Sequence, residues 1–203
     1  VMINMVIDGR QVQAQTGWTV LETARQHGIH IPTLCYHEAV EPSGACRLCV
    51  VEIGDETWSK VVISCMYPVA EGLNVKTDSP RVRNVRRWIL EMLLAECPAS
   101  PELRALAAEY GVKTTRFESH NPEEQCILCG LCVRVCREVV GVSAISTVGR
   151  GVHKKIGSPY EVAADACVAC GSCVTVCPTG AMSARLDAIR GAGAGRVAEK
   201  GGK

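Results

Sequence analysis

The sequence predicts an α+β chain, and three features of it carry that prediction. Short strands with a hairpin signal open the chain, an apolar stripe at helical spacing lies in the middle, and a cysteine run occurs twice in the second half. With 203 residues, one or two domains are possible. We expect a strand-rich unit, a helical connector, a cysteine-rich unit and a flexible tail over 1–78, 79–119, 120–185 and 186–203.

The strand-rich unit begins with a predicted hairpin. Residues 3–7 and 12–14 alternate apolar and polar side chains, and the dipeptide Asp8-Gly9 between them is typical of a tight hairpin turn. Two later apolar runs, at 48–53 and 60–63, predict further strands. In the second half, β-like pieces are predicted around 144–148 and 151–156.

Helices are predicted at three places. Thr19 and Glu22 have the spacing of a capping box, which opens a short helix. Ser79 can cap a longer one, whose apolar residues recur at helical spacing: Val82, Val85, Ile89, Leu90, Leu93 and Leu94. A third helix is expected between Pro101 and Gly111. The arginines of the long helix lie mainly off its stripe, so we expect a solvated face for Arg81, Arg83, Arg86 and Arg87.

Composition narrows the class of protein. The formal charge of +1, with acids and bases interspersed, argues against a nucleic-acid partner and a polybasic anchor. No apolar run approaches the roughly 20 residues of a membrane span, so we expect no direct membrane insertion. The start of the sequence shows no basic-then-apolar leader. Because free thiolates require a reducing compartment, we expect a cytoplasmic protein.

Thirteen cysteines dominate the composition, and twelve fall into complete groups. A first group follows C-x10-C-x2-C-x15-C: Cys35, Cys46, Cys49 and Cys65. Two runs follow C-x2-C-x2-C-x3-C: Cys126, Cys129, Cys132 and Cys136, then Cys167, Cys170, Cys173 and Cys177. The odd total and the tight triplets suit metal ligation better than disulfide bonds.

The repeated run is typical of two-cluster ferredoxins, in which the fourth cysteine of each run ligates the other cluster. Zinc sites instead usually show two C-x2-C pairs separated by a spacer. The spacing therefore predicts two [4Fe–4S] clusters with crossed ligands. One is held by Cys126, Cys129, Cys132 and Cys177, and the other by Cys136, Cys167, Cys170 and Cys173.

The spacing of the first group is near the plant-type ferredoxin order but leaves zinc open. Its surroundings, PTLCYH at 32–37 and SGACRLCVVE at 43–52, resemble the β-grasp [2Fe–2S] domain that opens complex I's large iron–sulfur subunit. The diaphorase-type iron–sulfur subunits of NAD-linked hydrogenases and formate dehydrogenases open with the same domain. The resemblance implies one [2Fe–2S] cluster on Cys35, Cys46, Cys49 and Cys65, and a bacterial-ferredoxin-like domain with two [4Fe–4S] clusters after the connector.

The connector departs from that family. Relatives carry a His-x3-Cys-x2-Cys-x5-Cys site for one more [4Fe–4S] after the long helix, whereas this chain keeps only Cys97 there and lacks the histidine. We therefore predict that this cluster site is missing and that Cys97 is a small buried apolar side chain. The histidines are expected to be structural or surface residues, although His120, six residues before Cys126, could tune that cluster.

The resemblance implies an iron–sulfur electron-transfer subunit of a multi-subunit NAD(P)-linked oxidoreductase. Its partners would be a flavin subunit that oxidises NAD(P)H and a second catalytic subunit of the hydrogenase or formate dehydrogenase type. No dinucleotide fingerprint, P-loop or Ser/His/Asp arrangement is evident, so we expect no catalytic site of its own. Two alternatives stay open: a free soluble polyferredoxin that shuttles between enzymes, and a zinc-stabilised scaffold.

Overall fold

The computed structural model describes residues 1–158, 165–183 and 185. The tail predicted to be flexible, 186–203, lies outside these residues. The chain divides into two compact units that interleave in sequence. The first comprises 1–36, 42–95 and 103–118, and the second comprises 37–41, 96–102 and the chain from 119 onward. The segments 37–41 and 96–102 thus belong to the second unit although they lie between stretches of the first.

The first unit is built on a five-stranded mixed sheet with the order β2-β1-β5-β3-β4. Its strands are β1 Met2–Ile7, β2 Arg10–Gln15, β3 Val50–Gly54, β4 Ser59–Ile63 and β5 Asn74–Lys76. Strand β5 runs parallel to β1 and antiparallel to β3, and the other pairs are antiparallel. Four strands are as predicted, within two residues at each end, whereas the three-residue β5 was not predicted.

The first hairpin follows the predicted turn. Asp8 and Gly9 both have positive φ, +50° and +77°, which matches the twist of a two-residue hairpin connection. The Asp8 carboxylate accepts hydrogen bonds from Thr77 N and Oγ1 at 2.7 and 2.6 Å, so the turn is held at the end of β5. The alternation sends one face of both strands into the core through Met5, Ile7, Val12 and Ala14.

Helix α1, Val20–Gln26, begins at the predicted capping box. Thr19 Oγ1 accepts from Glu22 N at 3.3 Å, and Glu22 Oε2 accepts from Thr19 N at 2.7 Å. These bonds satisfy backbone donors that have no partner within the helix. The buried side chains of α1 then join the core of the sheet: Val20, Leu21 and Ala24.

Helix α2, Pro80–Glu96, is the predicted long helix, and α3, Pro101–Glu109, follows it. Ser79 Oγ accepts from Val82 N at 3.2 Å and caps α2. The expectation of a solvated arginine face is wrong for Arg86, which is buried, while Arg87 is exposed. Arg86 lies four residues after Val82 and four before Leu90, so helical spacing places it on the apolar stripe.

The second unit contains α4 Leu131–Glu138, β6 Ser146–Val148, β7 Lys155–Gly157 and α5 Ser172–Thr175. Strands β6 and β7 form an antiparallel hairpin. The strand expected over 151–156 starts later, because Gly151–His153 forms a turn of 3₁₀-helix. Gly149, with φ +73°, allows the close approach of His153 O, which would lie 2.4 Å from an added Cβ.

The segment 37–41 is fixed within the second unit by side chains of α4. Val40 packs with Leu131 and Val135 in one buried cluster. Glu41 N donates to Glu138 Oε2 at 3.0 Å, and Arg134 donates to Glu41 O. Across the described ranges, no helix combines the length and the apolarity needed to cross a bilayer.

Candidate iron–sulfur sites

The four cysteines of the first group are all buried and lie together in the first unit, on the irregular loop before β3 and just after β4. Cys46 N donates to Cys35 Sγ at 3.4 Å. The Cys46 thiol lowers the pKa of Cys35 to about 5, and the Cys65 thiol lowers that of Cys49 to about 6. The pKa values of Cys46 and Cys65 are raised by the same contacts. The four thiols therefore interact in two pairs, Cys35 with Cys46 and Cys49 with Cys65.

The backbone of this loop is held by buried polar groups. Ser64 Oγ and N donate to Cys49 O at 2.7 and 3.0 Å. Arg86 donates from Nη2 to Val50 O at 2.8 Å and from Nε to Leu48 O at 3.3 Å, so its guanidinium bonds both neighbours of Cys49. The sequence prediction missed this role.

Glycine is required in the same loop at Gly44. Its φ is +61°, and an added Cβ would lie 2.7 Å from Ile63 Cδ1 and 2.9 Å from Met66 Sδ. The left-handed backbone and the close neighbours both disfavour any larger residue. The loop therefore keeps a tight path between Cys35 and Cys46.

The triplet of the first cysteine run lies with the last cysteine of the second. The pKa of Cys132 is raised to about 12, mainly by burial and then by the nearby Cys129, Cys126 and Cys177 thiols. Leu128 N donates to Cys126 Sγ at 3.4 Å. Among the described residues, Cys132 thus lies near the other three cysteines of the predicted set.

The other crossed set also lies together. Its four members, Cys136, Cys167, Cys170 and Cys173, line one cavity with about 390 Å³ of space between atoms, part of it open to solvent. Cys136 Sγ accepts from Ala144 N at 3.3 Å. Burial raises the pKa of Cys173, and the neighbouring Cys170 and Cys136 thiols add to the shift. An apolar wall with sulfur donors on several sides suits a cluster.

The two runs repeat in conformation as well as in sequence. Leu128 and Ala169, at matching positions, have φ of +52° and +55°. Gly130 and Gly171 have φ of +72° and +80° and immediately precede α4 and α5. No described protein atom lies within 4 Å of a Cβ built on either glycine, so the left-handed backbone is what favours glycine there.

Cys97 is fully buried, as predicted for a small apolar side chain. Its pKa is raised to about 12, mainly by burial, with smaller effects from the nearby Cys126, Glu124, Glu96 and Cys129. It therefore lies beside the first-run set, in the second unit. In the part of the chain that the structure describes, no three His, Cys, Asp or Glu side chains stand close enough to ligate one metal ion. The metal is accordingly identified from comparison with known proteins.

Family models match both cysteine regions. Residues 1–80 match the 2Fe-2S iron-sulfur cluster binding domain, and residues 125–181 match the 4Fe-4S dicluster domain. These matches confirm the predicted fold class: a β-grasp [2Fe–2S] ferredoxin domain followed, after helices, by a two-[4Fe–4S] ferredoxin-like domain. They also indicate iron–sulfur clusters of both kinds in place of the zinc alternative.

Individual relatives agree with these matches. An NADH-quinone oxidoreductase subunit of Rickettsia prowazekii (strain Madrid E) is 31% identical over 212 residues, covering 93% of this chain and 31% of that protein. The NADH-ubiquinone oxidoreductase 75 kDa subunit of Reclinomonas americana is 35% identical over 173 residues, covering 74% of this chain and 25% of that protein. This chain thus spans a third or less of these curated relatives.

A solved structure matches over most of both chains. A chain in the crystal structure of a NAD⁺-reducing [NiFe]-hydrogenase in the H₂-reduced state is 32% identical, with a TM-score of 0.76. The match covers 88% of this chain and 86% of that one. Similarity in sequence and similarity in fold to this hydrogenase chain therefore both extend over most of the chain.

Proposed function

We propose a function from one premise: the chain belongs to the family of iron–sulfur subunits of NADH-quinone oxidoreductases and NAD⁺-reducing hydrogenases. The role we propose is a relay. Electrons pass between a flavin subunit that oxidises NAD(P)H and a second catalytic subunit of the hydrogenase or formate dehydrogenase type, in the cytoplasm. The chain conducts these electrons and carries no catalytic site of its own.

The observation that carries this proposal is the proximity of cysteine thiols within each predicted set. We assign one [2Fe–2S] cluster to Cys35, Cys46, Cys49 and Cys65. We assign two [4Fe–4S] clusters to the crossed sets, Cys126, Cys129, Cys132 and Cys177, and Cys136, Cys167, Cys170 and Cys173. Such clusters, when bound, accept and release single electrons at potentials set by their surroundings.

The residues around the sets supply what a relay needs. Apolar side chains, such as the buried Ile145 and the partly buried Val142, limit water beside the second crossed set. Backbone N–H groups of Cys46, Leu128 and Ala144 donate to ligand sulfurs and disperse their negative charge. Both effects are recognised determinants of cluster potential.

Ligand assignment is tested by exchanging the last cysteine of each run in turn. Cys177→Ser is expected to damage the cluster built on the first triplet, and the matched variant Cys136→Ser the cluster built on the second. Intact protein should hold about ten iron atoms, from one [2Fe–2S] and two [4Fe–4S] clusters. EPR that showed each variant losing the cluster of its own run would overturn the crossed assignment, and zinc without sulfide would end the redox proposal.

The alternative function is a free polyferredoxin. Transient electron carriers rely on a strongly charged surface for steering to their partners, whereas this chain has a formal charge of +1, which favours a stable complex. Gel filtration and affinity purification of the native protein distinguish the two. Co-elution with flavin-containing and hydrogenase-type or formate-dehydrogenase-type subunits is expected, and elution always alone would favour the shuttle.

A further inference from the structure

An ion pair lies immediately beside the first-run set of cysteines. Glu124 stands two residues before Cys126, and its Oε1 accepts hydrogen bonds from Cys126 N at 2.8 Å and Gln125 N at 3.0 Å. The same oxygen accepts from Arg185 Nη2 at 2.6 Å, across 61 residues of sequence. Both side chains are only 25% exposed. The pair therefore joins the segment after Cys177 to the segment before Cys126.

One guanidinium nitrogen of Arg185, Nη1, is buried without a described acceptor. Among the residues that the structure describes, none accepts a hydrogen bond from Arg185 Nη1, although that atom is shielded from solvent. Burying an N–H donor without a partner is costly. Arg185 Nη1 is therefore positioned to donate to an acceptor that the described residues do not supply.

The guanidinium lies next to a predicted cluster ligand, because the oxygen that accepts from Arg185 Nη2 also accepts from Cys126 N. One carboxylate oxygen thus holds the positive charge of Arg185 beside the backbone of Cys126. Reduction of a cluster adds one negative charge, so a cation and an N–H donor at this position favour the reduced form.

We propose that Arg185 is a positioning residue that raises the reduction potential of the cluster assigned to Cys126, Cys129, Cys132 and Cys177, with Glu124 orienting its guanidinium. This inference rests on the proposed function, because it needs a cluster on those cysteines. The carboxylate of Glu124 holds the arginine in place and, by its own negative charge, partly offsets the effect. Neutralising Arg185 and neutralising Glu124 are therefore expected to shift the reduction potential in opposite directions.

Within the residues that the structure describes, this arrangement is found beside the first run only. Asp165 stands two residues before Cys167, at the position that matches Glu124, and it is exposed. His120, which the sequence suggested as a residue that could tune the cluster, is exposed as well. The two otherwise similar cubane sites thus differ in the charge beside them, and the site with Arg185 is expected to have the higher potential.

The test is a redox titration of the cluster-loaded protein followed by EPR, with iron counted in parallel. Arg185→Gln should make reduction of one cubane about tenfold less favourable, a shift of about 59 mV for one electron. Glu124→Gln should shift the same cubane in the opposite direction, and Arg185→Lys should retain part of the wild-type potential. Arg83→Gln, which breaks an exposed ion pair with Asp78 in the first unit, should change neither cubane.

The outcomes separate the inference from its premise. Loss of iron without a shift in the remaining cubane signal would show a purely structural clamp and overturn the inference. Shifts of the same sign in the two Gln variants, or a shift confined to another cluster, would overturn it too. Wild-type protein without iron would instead remove the proposed function. If Arg185→Gln does not fold, the inference is still tested by the other two variants. Glu124→Gln should raise the reduction potential, and Arg185→Lys should keep part of the wild-type value.

Discussion

Replacing Arg86 by leucine removes the guanidinium that bonds both neighbours of Cys49. The arginine is 3% exposed, and its two acceptors, Leu48 O and Val50 O, belong to buried residues. Leucine fills much of the same volume but donates nothing. The substitution therefore leaves two buried carbonyl groups without this partner, next to the [2Fe–2S] loop.

The magnitude follows from these two bonds. A buried acceptor left unsatisfied costs about 1–3 kcal/mol, so two of them give roughly 2–6 kcal/mol. Part of this is regained because a charge no longer has to be buried. We expect a net loss of about 3 kcal/mol, a large fraction of the roughly 5–15 kcal/mol that stabilise a typical domain.

The assay is unfolding of the cluster-loaded protein in urea, followed by visible circular dichroism of the [2Fe–2S] chromophore. Arg87→Leu is the matched control, because Arg87 is the next residue on the helix and is exposed. Surface substitutions of that kind change stability by less than about 0.5 kcal/mol. Arg86→Lys keeps the charge but loses the planar fork, and should lie between wild type and Arg86→Leu.

Two outcomes would contradict a role of Arg86 in holding the loop. Equal midpoints for Arg86→Leu and Arg87→Leu would show that the carbonyl bonds contribute nothing measurable. Arg86→Leu could also lose stability while its [2Fe–2S] spectrum stays unchanged at every urea concentration below the transition. That result would show that Arg86 stabilises the helix and not the loop.

Three more predictions concern single side chains. Cys97→Ala should leave the iron content unchanged and cost about 1 kcal/mol, a typical value for one substitution, measured by iron analysis and urea unfolding. Gly44→Ala should cost about 1–2 kcal/mol through its left-handed backbone, and more through displacement of Met66, with an altered [2Fe–2S] spectrum. Glu52→Gln should lower stability at pH 7 by about 1 kcal/mol, because hydrogen bonds from Ser59 and Ser79 lower the pKa of Glu52 below its ordinary 4.5. That contribution is present above pH 4.5 and is lost as pH falls through the lowered pKa, so the gap between the variants should close in acid.

Each of these has a control. A fall of several iron atoms in Cys97→Ala would indicate that this cysteine helps to hold a cluster. Gly72→Ala shares a positive φ of +71° but meets no described protein atom within 4 Å, so it should show the backbone cost alone, and an equal effect at both glycines would refute the packing argument. For Glu52→Gln, a stability difference that stays constant from pH 7 down through the lowered pKa of Glu52 would contradict the role of the charge.

Local patterns in the sequence were sufficient for much of the fold. The Asp8-Gly9 turn, the Thr19 capping box and the stripe of α2 each depend on residues within a few positions of one another, and all three were confirmed. Strand β5 escaped prediction because three residues carry no periodicity, and its pairing with β1 links positions about seventy residues apart.

The candidate sites also combine features that depend on nearby residues with features that depend on distant ones. The spacing within each cysteine run is local and predicts the ligand sets, whereas the polar groups around the cysteines come from distant parts of the chain. Arg185 and Glu124 meet across 61 residues, and no motif marks either.

The placement of residues 37–41 bears on how this molecule can be divided. These residues follow Cys35 in the loop of the first unit, yet Val40 is buried with Leu131 and Val135 of the second. A fragment cut at residue 119 would keep this short loop and lose the helix that covers it. The sequence contains two ferredoxin-like domains one after the other. Because the two compact units interleave along the chain, a single cut releases neither of them whole.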